Sequence, residues 1–355
     1  MTSSAQERRA RILETVRALG SVRVVDLAES LGFPAVTVRR DVAALAQEGR
    51  LLRTHGSVAL PDEEAGRGAD GAERVLGMLV PTVGGYFDEV VAGASAAAAA
   101  AGARLILGIA PYEASDDRSQ VERLLESDVD GLLLVPNWRP GEGIVESDWL
   151  AELPVPAVLV ERRAAPASPA AGLDAVCSDH RHGVLLALHH LARLGHRSVL
   201  LAARDDTRTA HEVRAGYAEA VKLLGLTELP VVDVPRAGGG AAAVAEQIAA
   251  AARAGARAVL VHNDQDAIQL PPLLRTFGLG VPEDMALISY DDTFAALSAP
   301  PLTAVAPPKR AVGAGALELL VRRIAAGPEL PVHHTELQPS LKVRSSCGGG
   351  NGGGA

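Results

Sequence analysis

Two adjacent arginines, Arg39 and Arg40, stand in TVRRDVAALAQEGRLLRTHG, residues 37–56 of a chain with three lysines and a formal charge of −9. Val38, Val42 and Leu45 recur there at i, i+4 and i+7, the spacing of a buried helical stripe. At about 100° per residue, Arg40 points away from that stripe, and Thr37 and Arg39 flank it. An arginine fork on an outward helix face suits a guanine edge or a phosphate. Alone, two such arginines are more often a solvated face, so the surrounding elements must decide. Asp41, beside them, reads as a structural partner that fixes an arginine by an ion pair.

A second set of groups lies at the ends of apolar runs. Tyr86, Phe87 and Asp88 follow the run 75–80, and Asn137 follows 131–135. Glu161-Arg162 ends 156–161, Asn263-Asp264 follows 258–262, and Asp291-Asp292 follows 285–290. In open parallel sheets, ligands bind beyond the carboxyl ends of the strands. Carboxylates, an amide and aromatic rings collected there suit a polyhydroxylated ligand, whose hydroxyls donate to carboxylates and whose C–H faces stack on rings. Any one of these residues could equally cap a loop or a helix. As a set they favour binding.

Other chemistry finds little support. His180, His182, His189 and His190 crowd one segment, but no supporting carboxylate or cysteine pair makes a metal site of them. RAGGGAAAVAEQ sets glycines before a helix and lacks the G-K-[ST] of a phosphate loop. Cys177 and Cys347 are too far apart for a metal motif, and Cys177 reads as a strand residue. No nucleophile–base or paired-acid arrangement stands out. The expectation is no enzyme, no cofactor and no metal.

The elements that must position these groups fall into a head and a body. In 6–60, ERRARILETVRALG carries Ile12, Leu13, Val16 and Leu19 on one face, and VVDLAESLG stops at Gly32. FPAVTVRRDVAALAQEG is a third helix, and RLLRTH and SVAL around Gly56 read as a hairpin. Residues 61–73 are polar and Gly-rich, the composition of a flexible linker. Beyond them, runs at 75–80, 104–109, 131–135, 156–161, 198–203, 230–234, 258–262 and 285–290 alternate with helical patterns at 87–101, 117–127, 181–194, 210–224, 241–254 and 265–278. This predicts α/β architecture with parallel sheets covered on both faces, in two lobes rather than one oversized sheet. Residues 347–355 read as a disordered tail. Aromatic residues are 3 % of the chain, so Ala, Val and Leu must fill the core.

Charge separates the two parts. Residues 1–60 hold nine arginines and six acidic residues, and the remainder is acidic. Only the head is suited to a polyanion. The N-terminal stretch shows no secretory signal and no run of about 18 apolar residues occurs, so a cytoplasmic chain without membrane contact is expected.

Three short helices and a hairpin make a winged helix-turn-helix, and TVRRDV with the downstream RTHG resembles the DeoR family over residues 7–60. The resemblance implies that Thr37, Arg39 and Arg40 work on DNA and that Arg53 and His55 add backbone contacts. Pro34 stands where that family has a serine cap, and Gly56-Ser57 where it has Gly-Gly. The body instead resembles lac-repressor-type and periplasmic-sugar-binding-type sensors. VLGMLVPTVGGYFDEVV, VDGLLLVP, SDHRHGVLLALHHLARLGHRSVLLA, VRAGY, HNDQDAI and VPEDMALISYDD carry that likeness, in the family's order. It implies a two-lobed periplasmic-binding-protein-like sensor over 74–346, a sugar-like effector in its cleft, Arg214, Asn263 and Asp291 as ligand-binding positions, and a homodimer. The hinge helix of lac-repressor-type proteins has no counterpart in the Gly-rich linker. The reading is a ligand-responsive repressor. Its alternatives are a sugar-phosphate-processing enzyme or a cytoplasmic solute-binding protein carrying a winged-helix domain.

Overall fold

The computed structural model describes residues 5–19, 21–48, 50–54, 57–59, 74–112, 117–138, 144–235 and 240–349. The predicted linker at 61–73 and His55 lie outside them, as does the side chain of Arg53. The chain divides into two units. The first takes residues up to Asn137, Gly143–Cys177 and Lys309–Thr335. The second takes Trp138–Glu142, Ser178–Pro308 and the residues from Glu336 onward.

The head belongs to the first unit. It runs α1 (Ala5–Leu19), β1 (Ser21–Arg23), α2 (Val24–Leu31), α3 (Ala35–Gln47), β2 (Leu52–Thr54) and β3 (Ser57–Ala59). Ile12, Leu13, Val16, Leu27, Val38, Val42 and Leu45 are buried, as the apolar stripes require. Gly32 ends α2 at φ +69, a conformation that glycine adopts without a Cβ clash. Pro34 replaces a capping side chain, and its carbonyl accepts the N–H of Thr37 at 2.8 Å and of Val38 at 3.1 Å. The hairpin pairs Leu52 with Ala59 and Thr54 with Ser57. β1, too short to show a period in sequence, adds to β3 antiparallel through Val22 and Val58.

The sensor part of the first unit runs β4 (Arg74–Val80), α4 (Tyr86–Ala100), β5 (Ala103–Ile109), α5 (Asp117–Leu125), β6 (Gly131–Leu134), β7 (Ala157–Val160) and β8 (Asp174–Ser178). Strands β4 to β8 are parallel, in the order β5-β4-β6-β7-β8. This is the 2-1-3-4-5 order of a doubly wound fold, whose strand order reverses between β4 and β6. The second unit runs α6 (His180–Arg193), β9 (Leu200–Ala203), α7 (Arg208–Leu223), β10 (Val232–Asp233), α8 (Ala241–Arg253), β11 (Ala258–His262), α9 (Asp264–Ala267), α10 (Leu270–Thr276), β12 (Ala286–Tyr290) and β13 (Thr303–Ala306). Its order, β10-β9-β11-β12-β13, repeats the topology, with the reversal between β9 and β11. Leu201, Leu260 and Ile288 enter a core on one face of that sheet, and Leu200, Val259 and Leu287 enter another on the opposite face. The helix predicted at 265–278 is two helices, because Pro271 and Pro272 admit only a fresh start at α10.

The chain returns to the first unit as α11 (Lys309–Ala326), and β14 (His334–Leu337) pairs beside β8. β15 (Ser340–Lys342) then closes the edge of the second sheet on β13. These late strands are short and largely polar, so no period marks them in sequence. Asp174 is buried and bonded by Arg323 at 2.8 and 2.9 Å and by the N–H of His333 at 2.7 Å, which ties α11 and the β14 entry to β8. The tail expected from residue 347 does not begin there. Cys347 is buried, with Sγ 3.3 Å from His190 Nε2 and 3.0 Å from Thr303 Oγ1, so its thiol fills a core site that a free tail would leave empty.

Helices α4 and α11 meet through glycines. A Cβ on Gly93 would lie 2.0 Å from the Arg310 carbonyl oxygen, and one on Gly313 would lie 1.9 Å from that of Val90. Backbone cannot yield as a flexible side-chain tip does, so a methyl here must push the helices apart. Gly313→Ala is expected to destabilise the first unit by about 1–3 kcal/mol, read as a lowered urea midpoint. Gly315→Ala, whose Cβ would meet only Val176 Cγ1 at 3.8 Å, should leave that midpoint nearly unchanged.

Candidate functional sites

On the head, α3 presents Arg39 and Arg40 to solvent, and Thr37 is half-buried on its flank. Arg8, Arg9, Arg11, Arg23 and Arg50 of the head are occupied. Asp41, buried on the inner side of α3, bonds Arg8 and also Arg9 at 3.3 Å. Burial alone would raise its pKa, but the two guanidiniums prevail and hold the carboxyl below its usual range. The predicted ion pair of Asp41 is therefore with α1, 33 residues away, and not with its sequence neighbours. Arg8 and Arg11 also lie over the Phe33 ring, at 5.7 and 5.2 Å. Arg23 is held by Asp26 and Arg50 by Glu48. Arg39 and Arg40 make no ion pair with any described residue. Beside them Val36 is 77 % exposed, an apolar side chain that the sequence reading passed over.

In the first unit, the predicted residues gather at the carboxyl ends of β4, β6 and β7. The Tyr86 hydroxyl donates to Glu161 Oε1 at 2.6 Å, across 75 residues of sequence. Glu161 is buried and left-handed, at φ +54. Phe87 stands edge-on to Tyr86 and lies under the Arg162 guanidinium, 6.0 Å from Cζ to ring centre. Arg162 is itself buried and bonds the carbonyls of Pro136 and Glu161. Lys309, from the head of α11, sets Nζ 5.4 Å from the Tyr86 ring. Asn137 donates Nδ2 to Ala110 O at 2.6 Å, and its N–H donates to Asp117 Oδ2 at 2.7 Å. Its Oδ1 is buried without a partner among the described residues. Asp88 turns away from this group. It accepts the Gly84 N–H at 2.8 Å, and burial raises its pKa against those loop N–H groups. Its geometry is that of a loop cap.

In the second unit, β9, β11 and β12 bring Arg214, Asn263 and Asp291 to one end of one sheet. Arg214 on α7 donates to Ala203 O at 2.6 Å and Arg204 O at 2.7 Å, and it pairs with Asp233. His262 pairs with Ala203 across the ladder, so Asn263 follows at the same level. Asn263 Oδ1 caps α9 through the Gln265 N–H, and its Nδ2 makes no hydrogen bond among the described residues. Asp264 is a loop anchor, accepting the N–H groups of Thr293 and Phe294 at 2.6 Å and of Ala295 at 3.2 Å. That anchor fixes the turn after β12, where Asp291 sits buried at φ +92 and Asp292 at φ +51 bonds Arg344 at 2.7 Å. The arrangement can supply donors from Arg214 and Asn263 and an acceptor from Asp291 to a polar, uncharged ligand.

Residues 8–64 match the DeoR-like helix-turn-helix domain family, and residues 188–347 match the periplasmic binding protein-like domain family. The arabinose metabolism transcriptional repressor of Geobacillus stearothermophilus is 25 % identical over 349 residues, covering 90 % of this chain and 89 % of its own length. The HTH-type transcriptional repressor PurR of Vibrio campbellii is 30 % identical over 278 residues, or 77 % of this chain and 81 % of its own. The structure of a transcriptional regulator CelR–cellobiose complex aligns with a TM-score of 0.64 at 23 % identity, covering 94 % of this chain and 99 % of that one. At that identity the likeness is one of fold.

Sequence reading missed Arg204, Asp206 and Asp266, although they follow the runs at 198–203 and 258–262 by the same rule that found the others. Arg204 bonds Asp206 twice, at 2.6 and 2.8 Å, and burial raises the pKa of Asp266 nearby. His180 and His262 flank Tyr290; in sequence the first reads only as a candidate metal ligand, and the second is not singled out. His180 Nδ1 is 3.2 Å from the Tyr290 hydroxyl, and the His262 ring centre lies 5.5 Å from that of Tyr290. Burial, with His180 and Arg204 adding to it, lowers the His262 pKa from 6.5 to about 3. His262 thus stays neutral in the fold while the unfolded chain takes up its proton, so stability falls as pH drops from 6.5 toward about 3. His262→Gln, which cannot titrate, should lose less stability than the unsubstituted chain between pH about 7 and pH about 4.5. Urea unfolding at the two pH values measures the difference.

Proposed function

Because the chain belongs to the HTH-type transcriptional repressors, with a DeoR-like reader ahead of a periplasmic-binding-protein-like domain, we propose that it is a cytoplasmic homodimeric repressor whose winged helix binds operator DNA and which a sugar-like effector releases. In this reading, residues 1–60 are the reader, 61–73 a connector and 74–346 the sensor. The observation that carries the DNA-binding reading is the pair Arg39 and Arg40. They are exposed charges without an ion pair among the described residues, on a helix whose inner face is buried, in a head where Arg8, Arg9, Arg23 and Arg50 are held by carboxylates. The N-terminal part of such a helix enters the major groove, where arginine forks meet guanine and an apolar group such as Val36 meets a thymine methyl. Arg53 and His55 of the wing are assigned to phosphates in the same reading.

The effector reading rests on the two polar clusters. Each cluster by itself suits sugar hydroxyl groups: Glu161 with Tyr86, Asn137 and the Arg162–Phe87 stack in the first unit, and, separately, Arg214, Asn263 and Asp291 in the second. The likeness to an arabinose repressor and to a cellobiose-bound regulator favours the sugar class. The relatives are regulators, which argues against the sugar-phosphate enzyme as an alternative.

Two measurements test the proposal. Arg40→Ala should cost about 1–3 kcal/mol of operator affinity in gel shifts and relax the preference at a base pair. Equal losses on operator and random DNA would show that Arg40 does not read bases. Asp291→Asn tolerates the positive φ that alanine would strain, and should weaken binding of L-arabinose or cellobiose by about tenfold or more in calorimetry. Operator affinity without sugar should stay intact, and loss of both activities would mean that Asp291 supports the fold instead.

A further inference from the structure

Head and sensor meet along β5. Val22 of β1 pairs with Leu107 in parallel register, so the three-stranded sheet of the head continues the sheet of the first unit. The next residue, Arg23, bonds both carboxylate oxygens of Asp26, at 2.8 and 3.2 Å, and reaches Gln120 Oε1 on α5 at 2.8 Å. Asp26 and Gln120 are both buried. A buried carboxylate and amide converging on one guanidinium hold a defined geometry, because moving any of the three leaves a buried polar group unpaired. The same turn of α5 faces the candidate effector site. Asp117, three residues before Gln120, accepts the N–H of Asn137, and Asn137 in turn bonds Ala110, the residue after β5.

We propose that the first turn of α5 transmits effector binding to the DNA reader, with Asp117 linked to Asn137 at one side and Gln120 linked to Arg23 at the other. This rests on the reading of Asn137 as an effector-site residue. Arg23 directly precedes α2, and α2 packs on α3, so a shift of Gln120 re-aims the helix that carries Arg39 and Arg40. Neither arginine takes part in the junction, and both stay exposed while the head is docked. The junction therefore orients the reader without covering it. It also gives a rigid route between the two functions that does not depend on residues 61–73.

The test is hydrogen exchange on the full chain without DNA or sugar, with Asn137→Ala as the perturbation of the effector site, since it removes the Nδ2 bond to Ala110 and so loosens the backbone whose N–H Asp117 accepts. The unsubstituted chain, Asn137→Ala, Gln120→Leu and the double variant form a cycle. Asn137→Ala should speed exchange of the amides in 21–31 by about tenfold, and by less than about twofold when Gln120→Leu is already present. Gln120→Glu keeps an acceptor for Arg23 and should preserve the full response. An equal response in the Gln120→Leu background would overturn the proposal. So would no response with Gln120 intact, or loss of the response in Gln120→Glu as well. Because neither operator nor effector is present, a failed gel shift would count against the repressor reading alone, and a failed cycle against this route alone.

Discussion

Burial of parallel strands on both faces is the constraint from which the rest follows. β4, β6, β7, β9, β11 and β12 have almost no exposed position along their lengths. A strand covered by helices on each side cannot carry a functional side chain in its middle without burying an unpaired polar group. Chemistry is therefore displaced to the residues just past each carboxyl end, where the loops are free to turn. The left-handed backbones of Glu161, Asp291 and Asp292 occur at such turns. Each turn must be held from outside the strand. Asp264 does this for the turn after β12, and Tyr86 closes on Glu161 after β7.

The head follows an opposite economy of charge. It contains nine arginines, and Arg8, Arg9, Arg11 and Arg23 are committed to internal structure. Asp41 anchors α3 to α1 through Arg8 and Arg9, while Phe33 receives Arg8 and Arg11 on its ring. Once these are occupied, the positive field on the outer side of α3 comes from Arg39 and Arg40. A pair of such charges steers a polyanion better when neighbouring cations are not competing for it, and exposed guanidiniums keep their forks available for base edges.

The junction between these parts is built of the materials each part already uses. β5 is the outer strand of the sensor sheet in the first unit, and an open edge of this kind invites another strand. β1 covers part of it, and the Arg23–Asp26–Gln120 set locks the alignment. Asp26 is fully buried there, and that burial raises its pKa to about 6 against the pull of Arg23.

Local order could be read from residues alone. The i, i+4, i+7 stripe placed Val38, Val42 and Leu45 inside and Arg40 outside, Gly32 stopped α2, and continuous apolar runs announced the parallel strands at β4, β5, β6, β7, β11 and β12. These signals depend on neighbours a few residues apart, and the chain carries them wherever it goes. The rule that loops past strand ends stay polar also points to Tyr86, Asn137, Glu161, Asn263 and Asp291, and each lies just beyond a strand or at its end. Partnerships were decided by the tertiary structure. Sequence could not say that Asp41 meets Arg8 rather than Arg39, that Asp88 only caps a loop while Arg162 stacks on Phe87, or that Cys347 is core. Nor could it show that a three-residue strand in the head would join the sensor sheet. Such contacts span tens to hundreds of residues, and they exist only after helices and strands have taken a register that no local period encodes.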